Sequence, residues 1–519
     1  MNAIGIENLR CLSDTGLIKL KPITILLGQN STGKSTFLRA LPLLRQSVES
    51  RTMGPLLWAG RFVDFGSFHE AIRSDTDKPE IIFRFQFTIP KNWNSERTNS
   101  NKPSPAFLED LDILLTLKVF GETLQGMTRT KECVLSFAEH KLRIEFESDG
   151  KVTTFEINDL DVLTLNNHQY YSELIGNLIP SIDKDFFNSM SLHLFSEIDK
   201  YEYVHGKRDD IVQNLALGSS EAMLANIQKN LSSTSTSTST NNLWTINSES
   251  FQRLKNMIIA NETENLLLAA DEYLTQFASH IYYIAPLRAT AERYYRIQDF
   301  AVDEVDSQGR NLAMFLQHLT DEERHQFAAW TEKYFAIAPE VQSVGGQFSL
   351  KLKERGGNTA FNIADIGFGF CQVLPILMEL WRILSRSPHA SLSSKQFRFH
   401  QRQENSSPVR QQVIFAIEQP ELHLHPRLQA LLADALLSAI SAARCVNLEL
   451  RLVIETHSET LINRLGHRID NGDVKRQDIN IVVFEKEHAN APAQIRVVEY
   501  DDEGFLTNWP FGFFEPEMI

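Results

Sequence analysis

The nine residues "GQNSTGKST", at positions 28–36, fit the pattern G-x-x-x-x-G-K-[ST]. The apolar run "ITILL" comes directly before them, and apolar residues at helical spacing follow them: Phe37, Leu38, Leu41, Leu44 and Val48. A strand, a loop with glycines and the start of a helix therefore follow one another. This order predicts an α/β fold in which the loop surrounds the phosphates of a nucleotide.

The residue types of this loop suit a bound nucleotide. Gly28 and Gly33 permit backbone angles at which successive N–H groups point inward, and the N-terminus of the next helix attracts negative charge. Lys34 reaches the outer phosphates, and the Ser35 hydroxyl is a ligand for Mg²⁺. We therefore expect the whole loop to hold ATP and Mg²⁺. Its residues are Gly28, Gln29, Asn30, Ser31, Thr32, Gly33, Lys34, Ser35 and Thr36.

A second apolar run, "VIFAIE", ends in Glu418 and continues as "QPELHLHP". In an α/β sheet, a buried strand of this kind presents its last side chain to the ligand at the carboxyl edge of the sheet. The sequence therefore predicts that Glu418 faces the magnesium ion beside the phosphates. The next residue, Gln419, is an amide, which can hold a water molecule but cannot accept its proton.

A third apolar run lies in "RLVIETHSE", at positions 451–459, and is followed by His457. Two interpretations of this histidine remain open: it caps the strand, or it contacts the γ-phosphate. The pair His423 and His425 in "HLHP" does not predict a metal site, because no third ligand lies at a useful spacing.

The composition describes an ordinary globular protein of 519 residues with a formal net charge of -15. This charge argues against a protein coated in nucleic acid, although a local basic patch can exist under an acidic total. Four cysteines lie far apart and form no C-x-x-C motif. No stretch reaches the roughly 18 apolar residues that a membrane-spanning helix needs. We expect a cytoplasmic protein without a membrane segment.

Four segments differ in pattern. Residues 1–75 hold the phosphate loop, and residues 76–165 alternate in the manner of an antiparallel sheet, as in "IIFRFQFTI". Residues 166–280 have helical periodicity and predict an α-helical insertion, inside which the low-complexity stretch 232–242 is expected to be disordered. Residues 281–519 complete the nucleotide-binding domain.

One polar stretch, at positions 385–411, combines five cations with two aromatic residues: Arg386, Lys395, Arg398, Arg402, Arg410, Phe397 and Phe399. A solvated surface loop explains this composition. Contact with a partner or with nucleic acid also explains it, because cations bind phosphates and aromatic rings stack on bases.

The order of the motifs resembles the ABC-type ATPases of the RecF and overcoming-lysogenization group. The motifs are the phosphate loop, "APLRATAERYY", "ADIGFGFCQVLPIL", "IEQPELHLHP", "ETHSE" and "DDEGFLTNWPFGFF". Within that group the chain most resembles the PtuA-like ATPases of Septu and retron-associated anti-phage systems. The resemblance covers residues 1 to 75 and 280 to 519. It implies a P-loop ATPase head with a mixed sheet, flanking helices and an antiparallel β subdomain.

In ATPases of this kind, two heads enclose two nucleotides, and each phosphate loop is completed by a signature segment of the other subunit. The resemblance places that segment at "DIGFGFCQ", where Gly367 and Gly369 would offer N–H groups to the γ-phosphate. It therefore implies a homodimer or a higher even oligomer.

The resemblance also suggests roles for the residues after the second apolar run. By this resemblance, Glu418 lies beside the magnesium ion. Gln419 occupies the position of the carboxylate that polarises the attacking water. Hydrolysis should then be slow and the closed dimer long-lived, unless Glu421 or another acid serves as the base. A long-lived closed state suits a clamp or a sensor better than a pump.

Partners follow from the resemblance too. Overcoming-lysogenization nucleases carry a nuclease domain after the strand that corresponds to the third apolar run. Here the stretch after His457 is too short for such a domain. Cleavage would then belong to an HNH-type endonuclease, accompanied in retron systems by a reverse transcriptase with its DNA–RNA product. Two alternatives remain: a RecF-like ATPase of DNA repair or chromosome maintenance, and a self-contained NTPase of metabolism or signalling.

Overall fold

The computed structural model describes residues 1–93, 107–121, 127–165, 169–173, 178–199, 214–232, 245–297, 302, 304–385, 411–486, 488 and 491–509. The basic stretch, apart from residues 385 and 411, and the Ser/Thr-rich stretch, apart from residue 232, lie outside this part of the chain. The interpretations of those two stretches therefore stay predictions.

Strands make up much of the described chain. In chain order they are β1 (Ala3–Glu7), β2 (Ile18–Lys19), β3 (Ile23–Gly28), β4 (Ile81–Ile89), β5 (Leu111–Gly121), β6 (Thr128–Phe137), β7 (His140–Phe146), β8 (Val152–Ile157), β9 (Leu160–Asp161), β10 (Ser172–Glu173), β11 (Ser181–Ile182), β12 (Ile281–Ile284), β13 (Tyr295–Arg296), β14 (Ile337–Val344), β15 (Gln347–Glu354), β16 (Ala360–Asn362), β17 (Gln412–Glu418), β18 (Glu449–Glu455), β19 (Ile479–Glu485), β20 (Gln494–Tyr500) and β21 (Leu506–Thr507).

The α-helices follow a similar course along the chain. They are α1 (Lys34–Glu49), α2 (Phe68–Ala71), α3 (Lys184–Ile198), α4 (Ser220–Ser232), α5 (Glu249–Ser279), α6 (Leu312–His318), α7 (Asp321–Phe335), α8 (Phe368–Ser385), α9 (Pro426–Cys445) and α10 (Glu459–Asp470). The described chain falls into two compact units, and α1 runs from one into the other at Pro42.

The first unit holds residues 1–18 and 43–279, so far as these are described. Its main sheet has the order β2-β1-β4-β5-β6-β7-β8-β9, and the neighbours from β1 onward pair in antiparallel fashion. Buried and less buried side chains alternate along its strands, as in β5, because successive side chains point to opposite faces. The long helix α5 packs on this sheet, with the Tyr273 ring stacked 4.4 Å from that of Phe87.

The second unit holds residues 19–42, 280–385 and 411–509 of the described chain. Its central sheet has the order β12-β17-β18-β3-β19-β20-β21. The strands from β12 to β19 are parallel, whereas β20 and β21 are antiparallel to their neighbours. Strands such as β3 are buried throughout, as expected of parallel strands covered on both faces. The predicted α/β class is confirmed.

The register of this sheet brings the sequence motifs to one edge. Glu418, at the end of β17, pairs with Glu455 at the end of β18, and β18 lies between β17 and the phosphate-loop strand β3. On the other side of β3, Gly28 pairs with Phe484 of β19. The carboxyl ends of parallel strands thus meet at the edge where the phosphate loop begins.

The predicted segment boundaries at 75, 165 and 280 stay predictions, but the pairing of the N-terminal strand adds to them. Residues 3–7 form β1, which pairs with β4 in the antiparallel sheet and not with β3. The start of the chain therefore belongs to the first unit, and the phosphate loop belongs to the second.

Two described helices, α8 and α9, are long and apolar enough to cross a membrane when judged by length and composition alone. Both helices contain interspersed polar side chains, which a mean hydropathy over 18 residues tolerates, so the expectation of no membrane segment stays a prediction. In the structure, apolar residues of both helices lie in the core of the second unit, among them Leu374, Leu377, Leu432 and Leu436. Packing inside the protein accounts for their hydropathy.

One buried ion pair lies within α8. The carboxylate of Glu379 and the guanidinium of Arg382 are one helical turn apart, and their side chains are 2% and 6% exposed. The guanidinium also lies over the ring of Tyr282, 4.6 Å from its centroid. Removing one partner of such a pair leaves an uncompensated buried charge, whereas removing both avoids it.

We predict that Glu379→Gln lowers the free energy of unfolding by about 3–5 kcal/mol, because Arg382 keeps its charge without its ionic partner. Replacing Glu379 and Arg382 together by Met should cost far less. Asp321→Asn, which breaks an exposed pair of the same spacing with Arg324, is the control and should cost about 1 kcal/mol or less. Urea unfolding followed by fluorescence measures all three; equal losses in Glu379→Gln and Asp321→Asn would contradict the prediction.

Candidate nucleotide-binding site

The phosphate loop is shaped by a close backbone contact. Gly28 ends β3 with a φ of +143°, and a β-carbon at this position would lie 2.1 Å from the carbonyl oxygen of Phe484. No side chain fits there, so the first glycine of the motif is required by the neighbouring strand β19. The loop then passes through Ser31, at a φ of +63°, and Gly33, at a φ of +107°. Its tip, residues 29–31, is exposed.

The lysine of the loop is held by the loop itself. The side chain of Lys34 is buried, and Nζ donates hydrogen bonds to the carbonyl oxygens of Gly28, at 2.9 Å, and Gln29, at 2.6 Å. The Thr32 hydroxyl donates to the same Gln29 oxygen at 2.8 Å. The ammonium group therefore lies inside the loop at the first residue of α1, where a phosphate group would meet both the cation and the helix N-terminus.

The serine after this lysine meets a carboxylate that the sequence analysis did not select. Ser35 Oγ donates a 2.8 Å hydrogen bond to Oε1 of Glu455, whose side chain is buried. The other oxygen, Oε2, is buried and has no hydrogen-bond partner among the described residues. Burial raises the pKa of Glu455, the hydrogen bond from Ser35 opposes this, and the charge of Glu418 raises the pKa further.

The carboxylate of Glu418 is fully engaged. Arg39, on α1, binds it with two hydrogen bonds, from Nε to Oε1 at 2.7 Å and from Nη2 to Oε2 at 2.8 Å. The Tyr283 hydroxyl donates to Oε1 at 2.7 Å. Burial raises the pKa of Tyr283, and the nearby Glu418 charge adds to the effect, so this hydroxyl stays protonated and donates. A magnesium ion bound to Glu418 would therefore share the carboxylate with Arg39 or displace the Arg39 guanidinium from it.

The oxygen donors at this edge fit magnesium. Mg²⁺ is a hard cation that prefers carboxylate and hydroxyl oxygens together with phosphate oxygens and water. The Ser35 hydroxyl, the unpaired Oε2 of Glu455 and the carboxylate of Glu418 supply donors of this kind beside the loop. Among the described residues, no group of three or more His, Cys, Asp or Glu is placed to hold a metal ion, so the site proposed here relies on two carboxylates and a hydroxyl.

The turn after β17 places the amide of Gln419 at the sheet edge. Its φ is +41°, a left-handed conformation that costs a non-glycine residue about 1–3 kcal/mol and often occurs at functional sites. Its N–H donates to the carbonyl oxygen of Glu455 at 2.8 Å. The side chain is partly exposed and makes no hydrogen bond with the described residues. The amide is thus available to a ligand or to water.

Glu421 lies two residues further on and contacts the backbone that follows β18. Its Oε1 accepts a 2.7 Å hydrogen bond from the backbone N–H of His457, and Oε2 is buried without a hydrogen-bond partner in the described chain. Burial raises the pKa of this carboxyl group, and the His457 N–H opposes the shift. A partly desolvated carboxylate with a free oxygen is a suitable proton acceptor.

The imidazole of His457 lies near the phosphate loop. Partial burial lowers its pKa, and the positive charge of Lys34 lowers it further. The ring is therefore neutral at pH 7, so it can donate or accept a hydrogen bond without adding charge. The next helix, α10, is capped by Ser458, whose hydroxyl accepts from the Leu461 N–H, so His457 itself is not the helix cap.

The predicted signature glycines precede and begin α8. Gly367 is exposed with open space around its α-carbon, whereas a β-carbon on Gly369 would lie 2.7 Å from the carbonyl oxygen of His423. The Phe368 ring meets the His423 ring edge-on, with the centroids 4.8 Å apart. Within the chain, the nearest neighbours of this segment therefore belong to the turn after Glu421.

The structure thus brings together most of the residues that the sequence indicated and adds four. Ser35, Glu418, Glu421 and His457 lie at one sheet edge, together with Gln419. Sequence reasoning missed Arg39, Tyr283 and Glu455, and also Arg288, whose Nη2 donates to the main-chain carbonyl oxygen of Glu418 at 2.7 Å. Glu455 ends an apolar run as Glu418 does, which was a usable signal. Arg39 lies one helical turn after Ser35, but nothing in its spacing indicates its acidic partner.

A family model matches most of the chain. The family model described as "AAA ATPase domain" matches residues 1–462. No curated protein matches the chain. Together with the loop and the sheet order, the family match confirms a P-loop ATPase fold.

Similar solved structures include Smc head domains. The Pyrococcus furiosus Smc head domain bound to the C-terminal domain of ScpA has 10% identity, a TM-score of 0.33 and coverage of 96% of each chain. The Thermotoga maritima SMC head domain has 8% identity, a TM-score of 0.32 and coverage of 96% of this chain and 100% of that one.

The positions of Gln419 and Glu421 lead to a kinetic prediction. We expect Glu421→Gln to lower kcat for ATP hydrolysis by about 10²-fold or more, because general-base assistance is typically worth ~10²- to 10⁴-fold. Gln419→Glu should raise kcat, because it adds a second proton acceptor at the end of β17. Both substitutions keep the size of the side chain.

Steady-state rates of ATP hydrolysis at saturating ATP test the roles of Gln419 and Glu421. The ATP affinity is measured separately. Glu459→Gln, at an exposed carboxylate that begins α10, is the matched control and should leave kcat unchanged. A wild-type enzyme that turns over fast and is indifferent to both site substitutions would contradict the assignment of either residue.

Proposed function

Because the chain belongs to the AAA ATPase domain family, we propose that it is the ATP-dependent regulatory subunit of a complex in which another protein cleaves nucleic acid. As a P-loop ATPase it binds ATP. The observation that carries the proposal is the amide of Gln419 at the end of β17, where a base would favour fast turnover. Turnover then depends on Glu421, and an ATPase that relies on a single proton acceptor serves better as a timer than as a motor.

In this proposal, the phosphate loop and Lys34 hold the triphosphate, and Ser35 with Glu455 and Glu418 holds magnesium. Magnesium would neutralise charge on the outer phosphates. Gln419 orients the attacking water, Glu421 accepts its proton, and the neutral His457 donates a hydrogen bond to the γ-phosphate. The arrangement is supported by the bond between Ser35 and Glu455 and by the free oxygens of Glu455 and Glu421.

We further propose that two copies close over two nucleotides. The exposed position of Gly367 supports this, because a side chain built there would meet only open space in its own chain, and a second chain can fill that space. Two exposed aromatic side chains, Phe361 and Phe368, lie beside it in sequence and would be covered in such a dimer.

The nuclease partnership rests on the resemblance of the motifs to PtuA-like ATPases of Septu and retron defence systems. The expected partner is an HNH-type endonuclease, accompanied in a retron system by a reverse transcriptase and its DNA–RNA product. The basic stretch 385–411 is the candidate contact with such a partner or with nucleic acid. A cytoplasmic location would suit this role.

We predict that Gly367→Trp blocks ATP-dependent dimer closure while leaving ATP binding to a single chain nearly unchanged. The large side chain meets nothing in its own chain but obstructs a second one. Lys34→Ala should instead abolish both ATP binding and closure, because the loop loses the cation that faces the phosphates. Gly369→Trp is unsuitable, since it would clash with His423 in the same chain.

The measurements are light scattering with ATP and Mg²⁺ for closure, and fluorescent-nucleotide titration for binding. Lys475→Ala, at an exposed lysine, is the control for loss of charge. Closure by Gly367→Trp at wild-type ATP concentrations would remove Gly367 from the interface.

The regulatory role is tested by purifying the chain from its native host with its neighbours intact. We expect an HNH-type nuclease to copurify, and nucleic-acid cleavage by the complex to depend on Lys34. The isolated chain should not cleave nucleic acid. Recovery of replication or repair proteins alone would favour the RecF-like alternative, and recovery of the chain without any partner would contradict the regulatory role.

A further inference from the structure

A buried arginine near the site has hydrogen-bond donors left without partners. Arg288 follows β12 and is 4% exposed. Its Nη2 donates a 2.7 Å hydrogen bond to the main-chain carbonyl oxygen of Glu418. Nε and Nη1 are buried and have no partner among the described residues. Unpaired buried donors cost about 1–3 kcal/mol each, so their retention at a strand end calls for a functional explanation.

Two acidic residues, Glu421 and Glu418, act electrostatically on this guanidinium. Burial lowers the pKa of Arg288 to about 10, and the charges of Glu421 and then Glu418 oppose the shift. Arginine side chains stay cationic in proteins, and Glu421 is among the acidic residues whose charge acts on this one. Both groups have unsatisfied polar atoms in this corner: Nε and Nη1 on the arginine, and Oε2 on Glu421.

The main chain of Arg288 is attached to the signature helix. Gln372, on α8, accepts a hydrogen bond from the Arg288 N–H at 3.3 Å and donates one to the Arg288 carbonyl oxygen at 3.2 Å. The Gln372 side chain is buried, so water does not compete for these bonds. Gln372 lies one turn after Gly369. A displacement of the first turns of α8 would therefore move Arg288.

We propose that Arg288 is a positioning residue that holds the turn between Glu418 and Glu421 and orients the Glu421 carboxylate, and that Gln372 couples this orientation to the signature end of α8. Contact of a second chain with Gly367 would then adjust the proton acceptor through Gln372 and Arg288. The inference rests on the proposed role of Glu421 as the base, and it adds the means by which closure controls turnover.

The test compares Arg288→Lys with Glu421→Gln and the double variant. Lysine keeps the charge but cannot reproduce the planar set of donors. We expect Arg288→Lys to lower kcat about 10- to 100-fold, as small misplacements of catalytic groups do, with ATP affinity within a few-fold of wild type. In the Glu421→Gln background the same substitution should cause no further loss, because it acts through Glu421.

Gln372→Leu keeps the side-chain volume and removes both bonds to Arg288 without altering charge. It should lower kcat by about 10-fold with ATP affinity retained. This variant also serves if Arg288→Lys fails to fold, which thermal unfolding would reveal. Arg476→Lys, at an exposed arginine paired with Asp502, is the matched control and should behave as wild type.

The outcomes separate the inference from the function on which it rests. If Glu421→Gln lowers kcat but neither Arg288→Lys nor Gln372→Leu does, the proposed base stands and the positioning role is overturned. Equal multiplicative losses in the wild-type and Glu421→Gln backgrounds would also overturn it, because Arg288 would then act independently of Glu421. If Glu421→Gln keeps full turnover, the proposed base itself is wrong and the inference falls with it.

Discussion

Two buried carboxylates at neighbouring strand ends constrain the rest of the site. Glu418 and Glu455 pair in register on adjacent parallel strands, which lie about 4.8 Å apart, and both side chains are buried. Two negative charges at such a spacing repel each other strongly unless cations or donors surround them. Arg39 and Tyr283 donate hydrogen bonds to Glu418, and Ser35 donates one to Glu455. Both Arg39 and Ser35 lie on α1, one helical turn apart. A single face of this helix therefore supplies hydrogen-bond donors to both carboxylates.

This arrangement also sets the direction of α1. The helix must present Ser35 and Arg39 to two different strands at once, and the phosphate loop precedes it directly. Lys34 meanwhile lies against the loop carbonyls. The described loop thus holds its shape by internal hydrogen bonds, so little ordering remains to oppose the arrival of a nucleotide.

Local features of this fold could be predicted from the sequence, and long-range ones could not. The loop, the apolar strands and the acidic residues that end them are local patterns. The insertion of β18 between β17 and β3 is a matter of topology, which no short stretch encodes, and it determines that Ser35 meets Glu455. The left-handed backbone of Gln419 and the pairing of β1 with β4 likewise arise from tertiary contacts. Helix α8 shows a related effect, since its apolar length reflects burial on several sides.

The contact between Gly28 and Phe484 has a consequence for biosynthesis. The backbone of β19 forms one wall of the phosphate loop, although β19 lies several hundred residues after the loop in the chain. During translation, the loop emerges from the ribosome long before that wall exists. The nascent chain therefore acquires a finished phosphate cradle only after β19 has been synthesised and has paired with β3. Until then the loop lacks this wall, so nucleotide binding contributes little to the early folding of the second unit.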